Sequence, residues 1–401
     1  MDRWDADMVD AAENALIRRL IRAGAGTDDE IDALLKDAGL AAVARVLVEE
    51  VLFRCPEPAN TTPVDVALDL THGGERHTAT LRMVRDEPVR VVADDTARVR
   101  SRLTFTATGL VRRLFGPTDS PRTGDFTNSF MPTPEDPGQL RELLAEMNTV
   151  LRAAAQATAT LMAGCTGRCP DLGELSIRYG SDKWASFHWY TAHYERHFAR
   201  YRDRPVRVLE IGIGGFEDDL GGGSLKMWKR FFPRGEIFGL DLYDKTALTE
   251  PRITALVGDQ NDPAYLTALA REHGPFDLVI DDGSHVNEHV RTSFRTLFPL
   301  VRPGGLYVIE DLQTAYFGDF GGSSGGVAGP DTSLGLVKEL IDDLHHREHR
   351  EPSVGRPTVT QSTVTGVHAY HNLVFVEKGT NGEDTLPSWM DADVWTALGA
   401  K

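Results

Sequence analysis

Apolar residues recur on one helical face in two early stretches. They are 6–24, with Leu16, Leu20 and Ile21, and 27–53, with Val43, Val46, Leu47 and Val51. Alternating apolar and polar positions at 64–70, 78–84 and 89–92, separated by Gly73-Gly74 and Glu87-Pro88, predict strands. A stretch rich in Pro, Gly, Asp and Ser over 116–138 reads as a long loop, 139–162 as a helix and 164–170 as a linker. Beyond residue 171 the pattern changes. Short, nearly continuous apolar runs at 206–211, 237–241, 276–281 and 305–310 have the look of strands buried on both faces of a parallel sheet. Helical segments at 225–232, 263–273 and 286–298 lie between them, and runs at 363–370 and 373–378 predict a closing antiparallel hairpin turning at His371-Asn372. The expected architecture is an α+β auxiliary domain over 1–165, then an α/β, Rossmann-like doubly wound domain over 166–401.

Composition narrows the class. A chain of 401 residues favours two domains, and 41% hydrophobic with 8% aromatic residues is ordinary for a globular protein. No apolar run reaches membrane-spanning length, so no membrane partner is expected. Met1-Asp2-Arg3-Trp4-Asp5 lacks a secretory pattern, and three cysteines do not suggest a disulfide framework. A cytoplasmic enzyme is expected. The net charge of -17 would repel phosphate backbones, which argues against nucleic acid. Lysine is scarce, eight of 43 basic residues, and reads as base-composition bias. Cys165 and Cys169 have no second ligand pair and read as incidental.

The chemistry is concentrated at the predicted strand ends. Val208-Leu209-Glu210-Ile211-Gly212-Ile213-Gly214-Gly215 ends the first strand of the alternating region, and its glycines allow a ligand close to the backbone. The acid before the glycines, Glu210, and the broken GxGxxG spacing favour S-adenosylmethionine (SAM) over a dinucleotide. Asp241 is placed for ribose hydroxyls, and Asp259-Gln260 for the adenine side. Ser224, before a helix, reads as an N-cap beside the methionine carboxylate; the alternative is that Ser224 only caps and Glu210 is a solvated strand-end acid. Asp281-Asp282-Gly283-Ser284-His285 and Glu310-Asp311 follow later strands on the same rim. Carboxylates converging there repel one another unless an oxygen-preferring cation such as Mg²⁺ neutralises them. Asp282, Glu310 and Asp311 are therefore the expected metal ligands, and His285 the general base, its alternative being a loop histidine bonded to backbone. Asp281 is expected to turn toward the cofactor's ammonium group.

Segments 188–190, 206–215, 221–233, 258–262, 275–285, 301–311 and 370–378 carry a resemblance. Over 176–379 the chain resembles the sugar O-methyltransferases of macrolide biosynthesis, of the mycinamicin and demethylmacrocin type, and is similar to rhamnosyl 2'-O-methyltransferases acting on other glycosylated polyketides. The resemblance implies a class I SAM-dependent methyltransferase sheet and Mg²⁺ on the residues matching Asp282, Glu310 and Asp311. It also implies a base at His285, and a homotetramer in which the N-terminal domain helps cover active sites. The expected reaction is methyl transfer to a hydroxyl, the 2-hydroxyl first, of a 6-deoxyhexose of rhamnose or 6-deoxyallose type on a glycosylated polyketide. The adjacent hydroxyl would help chelate the metal. A different sugar hydroxyl, a nicotinamide-dependent sugar oxidoreductase and a non-catalytic SAM-binding scaffold are the alternatives. Residues 216–220 and the Gly-rich 317–331 are expected to border the acceptor. The aromatic stretch 184–194 is expected either to wall the aglycone, with His188 and Tyr190 inward, or to be a core-facing helix.

Overall fold

The structure is a computed structural model that describes residues 11–93, 99–118, 126–130, 137–166, 169–184, 187–215, 219–349 and 356–382. Three helices open it: α1 (Ala11–Ala25), α2 (Asp28–Ala38) and α3 (Leu40–Arg54). The single expected helix over 27–53 is thus two. Thr27 starts α2 with a reciprocal Thr27–Glu30 capping box. Gly39, at φ +81°, ends α2 by donating to the Leu35 carbonyl and starts α3.

Strands β1 (Val64–His72), β2 (Glu75–Met83) and β3 (Arg90–Val92) form where alternation predicted them. Two further strands and a helix were not foreseen: β4 (Val99–Thr106), α4 (Ala107–Phe115) and β5 (Phe126–Phe130). β5 falls within the expected loop of 116–138, because Phe126 to Phe130 pair antiparallel with β4. The order is β3-β2-β1-β4-β5. Helix α5 (Pro137–Gly164) completes this part, and its Ala153, Ala157 and Leu161 join a core with Leu47, Val51, Leu68 and Phe105.

The second sheet takes β6 (Arg207–Ile211), β7 (Glu236–Asp241), β8 (Ile253–Val257), β9 (Leu278–Asp281), β10 (Leu306–Ile309), β11 (Val364–Tyr370) and β12 (Leu373–Lys378). Its order is β11-β12-β10-β9-β6-β7-β8, with β12 antiparallel to both neighbours. Connecting helices are α6 (Leu172–Tyr179), α7 (Thr191–Phe198), α8 (Gly223–Phe231), α9 (Pro263–His273), α10 (Asn287–Leu297), α11 (Ser333–Leu344) and α12 (Val359–Thr363). The near-continuous apolar strands make sense once both faces are seen. Val208, Leu278, Ile280, Leu306 and Val308 pack with α6, α7 and α8. Their chain neighbours Leu209, Val279, Tyr307 and Ile309 pack with α9, α10 and α11. Strand order reverses between β6 and β9, which opens a crevice at the carboxyl ends of those strands.

Buried ion pairs join the two parts. Glu50 of α3 accepts from Arg54 Nε (2.7 Å) and from Arg252 Nε and Nη2 (3.0 and 2.6 Å). Arg252 also donates to the carbonyls of Lys229, Phe232 and Gly235, each at 3.0 Å. All three charged side chains are buried. Among the described residues no helix is long and apolar enough to cross a membrane. Cys55, Cys165 and Cys169 are all free.

Burial alone would raise the Glu50 carboxyl, but Arg252 and Arg54 outweigh it and hold it below the ordinary glutamate value. Its ionised form therefore stabilises the folded chain above about pH 4.5, and that contribution is lost as pH falls. Glu50→Gln, which strands two buried guanidinium groups, should cost roughly 3–5 kcal/mol at neutral pH. Denaturant melts of both proteins should show the gap narrowing below pH 4.5. A gap independent of pH would remove the ionised carboxylate from the account.

Candidate active site

The first strand end is shaped by close backbone approach. Gly212, at φ +87°, lies so near the β9 loop that a Cβ would come within 2.1 Å of the Asp282 carbonyl oxygen. At Gly214 a Cβ would meet nothing within 4 Å, so the loop borders open space. Asp241, at the tip of β7, accepts from the Ile213 and Tyr243 backbone N–H groups, both at 2.9 Å. Its carboxylate is thereby fixed beside the glycine loop and stays partly exposed. Asp259 is exposed just past β8 and accepts from the Asn261 N–H at 2.7 Å.

Behind this loop Glu210 is fully buried, with Ser224 Oγ donating to Oε2 at 2.7 Å. Ser224 is not the N-cap expected of it. Gly222, at φ +80°, holds that position, which leaves the first N–H groups of α8 without a side-chain cap, and the serine hydroxyl turns to Glu210.

The other strand ends bring the acids together around a residue that the motifs did not single out. Lys183 Nζ lies 2.7 Å from Asp282 Oδ2, 2.7 Å from Glu310 Oε1 and 3.4 Å from Glu210 Oε1, with no exposure at all. Burial works against its charge, yet Asp282, Glu310 and Glu210 hold its pKa above the ordinary lysine value. The Tyr194 hydroxyl donates to the same Glu310 oxygen. Tyr190 donates to Asp311 Oδ1 at 2.8 Å, and His285 Nε2 stands 3.5 Å from Asp311 Oδ2. His285 and Asp311 both sit in the left-handed region, at φ +57° and +55°. Two strained non-glycine residues facing each other is a pattern that clusters at functional sites.

A divalent cation fits this donor set. One ligand atom each from Asp282, His285 and Asp311 lies within 4.8 Å of the others. Glu310 stands outside that set, and its Oε1 accepts from Lys183 and Tyr194. Burial and the Asp282 charge both push the Glu310 carboxyl up, which a bound cation would reverse. Four carboxylates against one ammonium leave an excess of negative charge that oxygen-preferring metals neutralise.

Two expected residues point elsewhere. Asp281 is buried with Ser293 Oγ and Tyr307 Oη (3.0 Å) on Oδ2 and Gln260 Nε2 (3.1 Å) on Oδ1. It pairs with Ile211, not Glu210, and so faces α10 on the opposite side of the sheet from the glutamate. Burial there pushes its pKa up to about 6. Gln260 is likewise a strut, accepting from the Ser284 N–H at 2.6 Å instead of facing an adenine. In the aromatic stretch the core-facing reading covers only part of the residues. Tyr190 and Tyr194 are buried against the acids, whereas Phe187 is 82% and Trp189 62% exposed. Of the loop expected to border the acceptor, 216–218 lie outside the described residues. In the Gly-rich segment Phe317 and Val327 are exposed.

A doubly wound sheet with this rim defines a class I SAM-dependent methyltransferase. Residues 185–312 match the family described as a methyltransferase domain, and 17–124 the one described as MycE methyltransferase N-terminal. Demethylmacrocin O-methyltransferase of Streptomyces fradiae is 49% identical over 383 residues, 95% of each chain. Mycinamicin VI 2''-O-methyltransferase of Micromonospora griseorubida is 47% identical over 382 residues, again 95% of each. The solved MycE methyltransferase in complex with Mg, SAH and mycinamycin VI superposes with a TM-score of 0.90 at 46% identity, covering 98% of this chain and 100% of that one. The chain belongs to the family of macrolide and polyketide sugar O-methyltransferases.

Lys183→Met removes the buried ammonium that Glu210, Asp282 and Glu310 share while keeping similar bulk. Without Mg²⁺ it should lower stability by roughly 3–5 kcal/mol. Saturating Mg²⁺ should recover much of that, because the metal then becomes the neutralising charge. Melting both proteins with and without Mg²⁺ checks this; an identical deficit in the two conditions would mean that Lys183 merely packs.

Proposed function

We propose that this enzyme methylates a hydroxyl, the 2-hydroxyl first, of a 6-deoxyhexose on a glycosylated polyketide, with SAM as donor and Mg²⁺ as cofactor. The observation carrying the reading is the convergence of Asp282, His285 and Asp311 within 4.8 Å on the rim that holds the glycine loop. The enzyme is SAM- and Mg²⁺-dependent. Asp282 and Asp311 would hold the metal, while Glu310, engaged by Lys183 and Tyr194, would border the site. When bound there, Mg²⁺ supplies Lewis acidity that acidifies the acceptor hydroxyl and favours a vicinal diol.

The chain's own groups do the rest. His285 accepts the hydroxyl proton at Nε2, and Asp311, 3.5 Å away, stabilises the imidazolium. Tyr190 fixes the rotamer of Asp311 through its 2.8 Å hydrogen bond. As the O–CH₃ bond forms, the S–CH₃ bond of the sulfonium breaks. Gly212, Gly214 and Asp241 border the donor, Asp241 toward the ribose and Asp259 toward the base. Glu210 with Ser224 backs the methionine end, and the uncapped start of α8 suits its carboxylate. The exposed Phe187 and Trp189 offer an apolar wall to the aglycone. The first 165 residues act as an auxiliary domain in a homotetramer, which light scattering would test.

Glycosylated macrolides and rhamnosylated polyketides should be screened, with NMR placing the new methyl. Methylation on the aglycone alone would overturn the sugar assignment. His285→Ala should lower turnover about 10²–10⁴-fold with SAM affinity unchanged. Chelation should stop turnover and Mg²⁺ restore it; activity indifferent to chelator would break the metal reading.

A further inference from the structure

A second group of ligating side chains lies on the hairpin edge of the sheet, apart from the reaction rim. Gly366 pairs with Glu377 and His368 with Phe375 across β11 and β12, so His368 and Glu377 are diagonal neighbours on one face. Helix α7 lays His197 over them, its ring 4.2 Å from that of Phe375 and 4.7 Å from that of His368. We propose that His197, His368 and Glu377 bind a transition-metal ion of the Zn²⁺ class and so tie α7 to the closing hairpin.

Each of the three offers one ligand atom within 4.8 Å of the others. His368 Nε2 is 3.5 Å from Glu377 Oε1, near the roughly 3.3 Å edge of a tetrahedron with bonds of about 2.0 Å. That nitrogen is buried and makes no hydrogen bond. The space in front of it is kept clear by Gly366, where a Cβ would stand 3.2 Å from His368 Nε2 and 3.3 Å from Glu377 Oε2. Gly366 is not among the residues with positive φ, so the backbone there does not require glycine.

The rings are prepared for a metal. Tyr370 Oη, 2.9 Å from His197 Nε2 and stacked on His193, steadies the ring. Arg196 and Arg200 flank the group, and Arg200 Nη2 lies 3.2 Å from Glu377 Oε1. That arginine is 47% exposed, and a surface pair of this kind is worth about 0–1 kcal/mol, so a metal can displace it. Two nitrogens and one carboxylate oxygen suit Zn²⁺, whereas the carboxylate-rich rim, with its histidine assigned as base, suits Mg²⁺.

The test titrates the full chain with Zn²⁺ by calorimetry in excess Mg²⁺, so that the rim is already occupied. One equivalent of Zn²⁺ should bind and raise the melting temperature. His368→Gln and Glu377→Gln should weaken this by more than the roughly 10–100-fold that an outer-shell partner is worth, while Mg²⁺-dependent turnover stays unchanged. Melting the variants in chelator confirms that they fold. Zn²⁺ binding that survives His368→Gln but is lost in Asp282→Asn would place the ion at the rim and overturn the proposal. No binding at all, leaving only the Arg200–Glu377 pair, would overturn it equally.

Discussion

One buried ammonium, that of Lys183, makes the reaction rim possible. Glu210, Asp282 and Glu310 come from three different strand ends, and without a cation among them their mutual repulsion would push the crevice open. Lys183 arrives from the turn after α6, a region outside the sheet, and donates into the centre of the group. Its partners lie on both sides of the crevice: Glu210 behind the glycine loop at the end of β6, and Asp282 and Glu310 just past β9 and β10. A single charge therefore keeps three strand ends in register. Such a buried ion cluster adds little net stability, since desolvation offsets attraction. What it provides is a defined geometry.

The alternation of each strand decides which acids take part. Glu210 and Glu310 share the parity of Val208 and Val308, whose side chains face α6 to α8. Asp281 has the other parity and faces Ser293 and Tyr307 on the α10 side. Asp282, one residue past the strand, turns back toward Lys183. Adjacent aspartates thus acquire opposite duties from a period of two, one bracing the second layer of helices and the other exposed to the reaction. The same logic makes Gln260 a strut, because it must reach both Asp281 and the Ser284 N–H across the β8 and β9 loops.

Much of this was readable beforehand where local pattern and fold agree. The buried runs at 206–211, 237–241, 276–281 and 305–310 became parallel strands within two residues of the expected ends, since continuous apolar character suits a sheet covered on both faces. Asp282, His285, Glu310 and Asp311 could be chosen because charged residues after buried strands seldom serve folding. What escaped depends on tertiary direction. The side of the sheet taken by Asp281 follows from strand parity only once the layer covering each face is known, and the turn of Ser224 from cap to Glu210 is not encoded in spacing. Strand β5 was missed because its pairing with β4 outweighs the Pro- and Gly-rich composition around it. Tyr190 and Tyr194 sat in a stretch with two readings, of which the core-facing one describes where their side chains lie.

Lysine usage was the overlooked signal. The chain has eight lysines among 43 basic residues, which looks like drift toward arginine codons. Yet Lys183, Lys229, Lys245 and Lys378 are all buried, which is rare for lysine in general. Lys378 Nζ donates to the carbonyls of Pro299 and Val301 at 2.6 and 2.7 Å, and Lys229 Nζ pairs with Glu250 at 2.8 Å. These are sites for a compact point charge with three rotatable donors, and a planar guanidinium fork cannot replace it among converging oxygens. Where composition drives basic residues to arginine, a surviving lysine marks a position at which arginine fails. Applied to this chain, that argument leads to Lys183, and from Lys183 to the carboxylates it gathers.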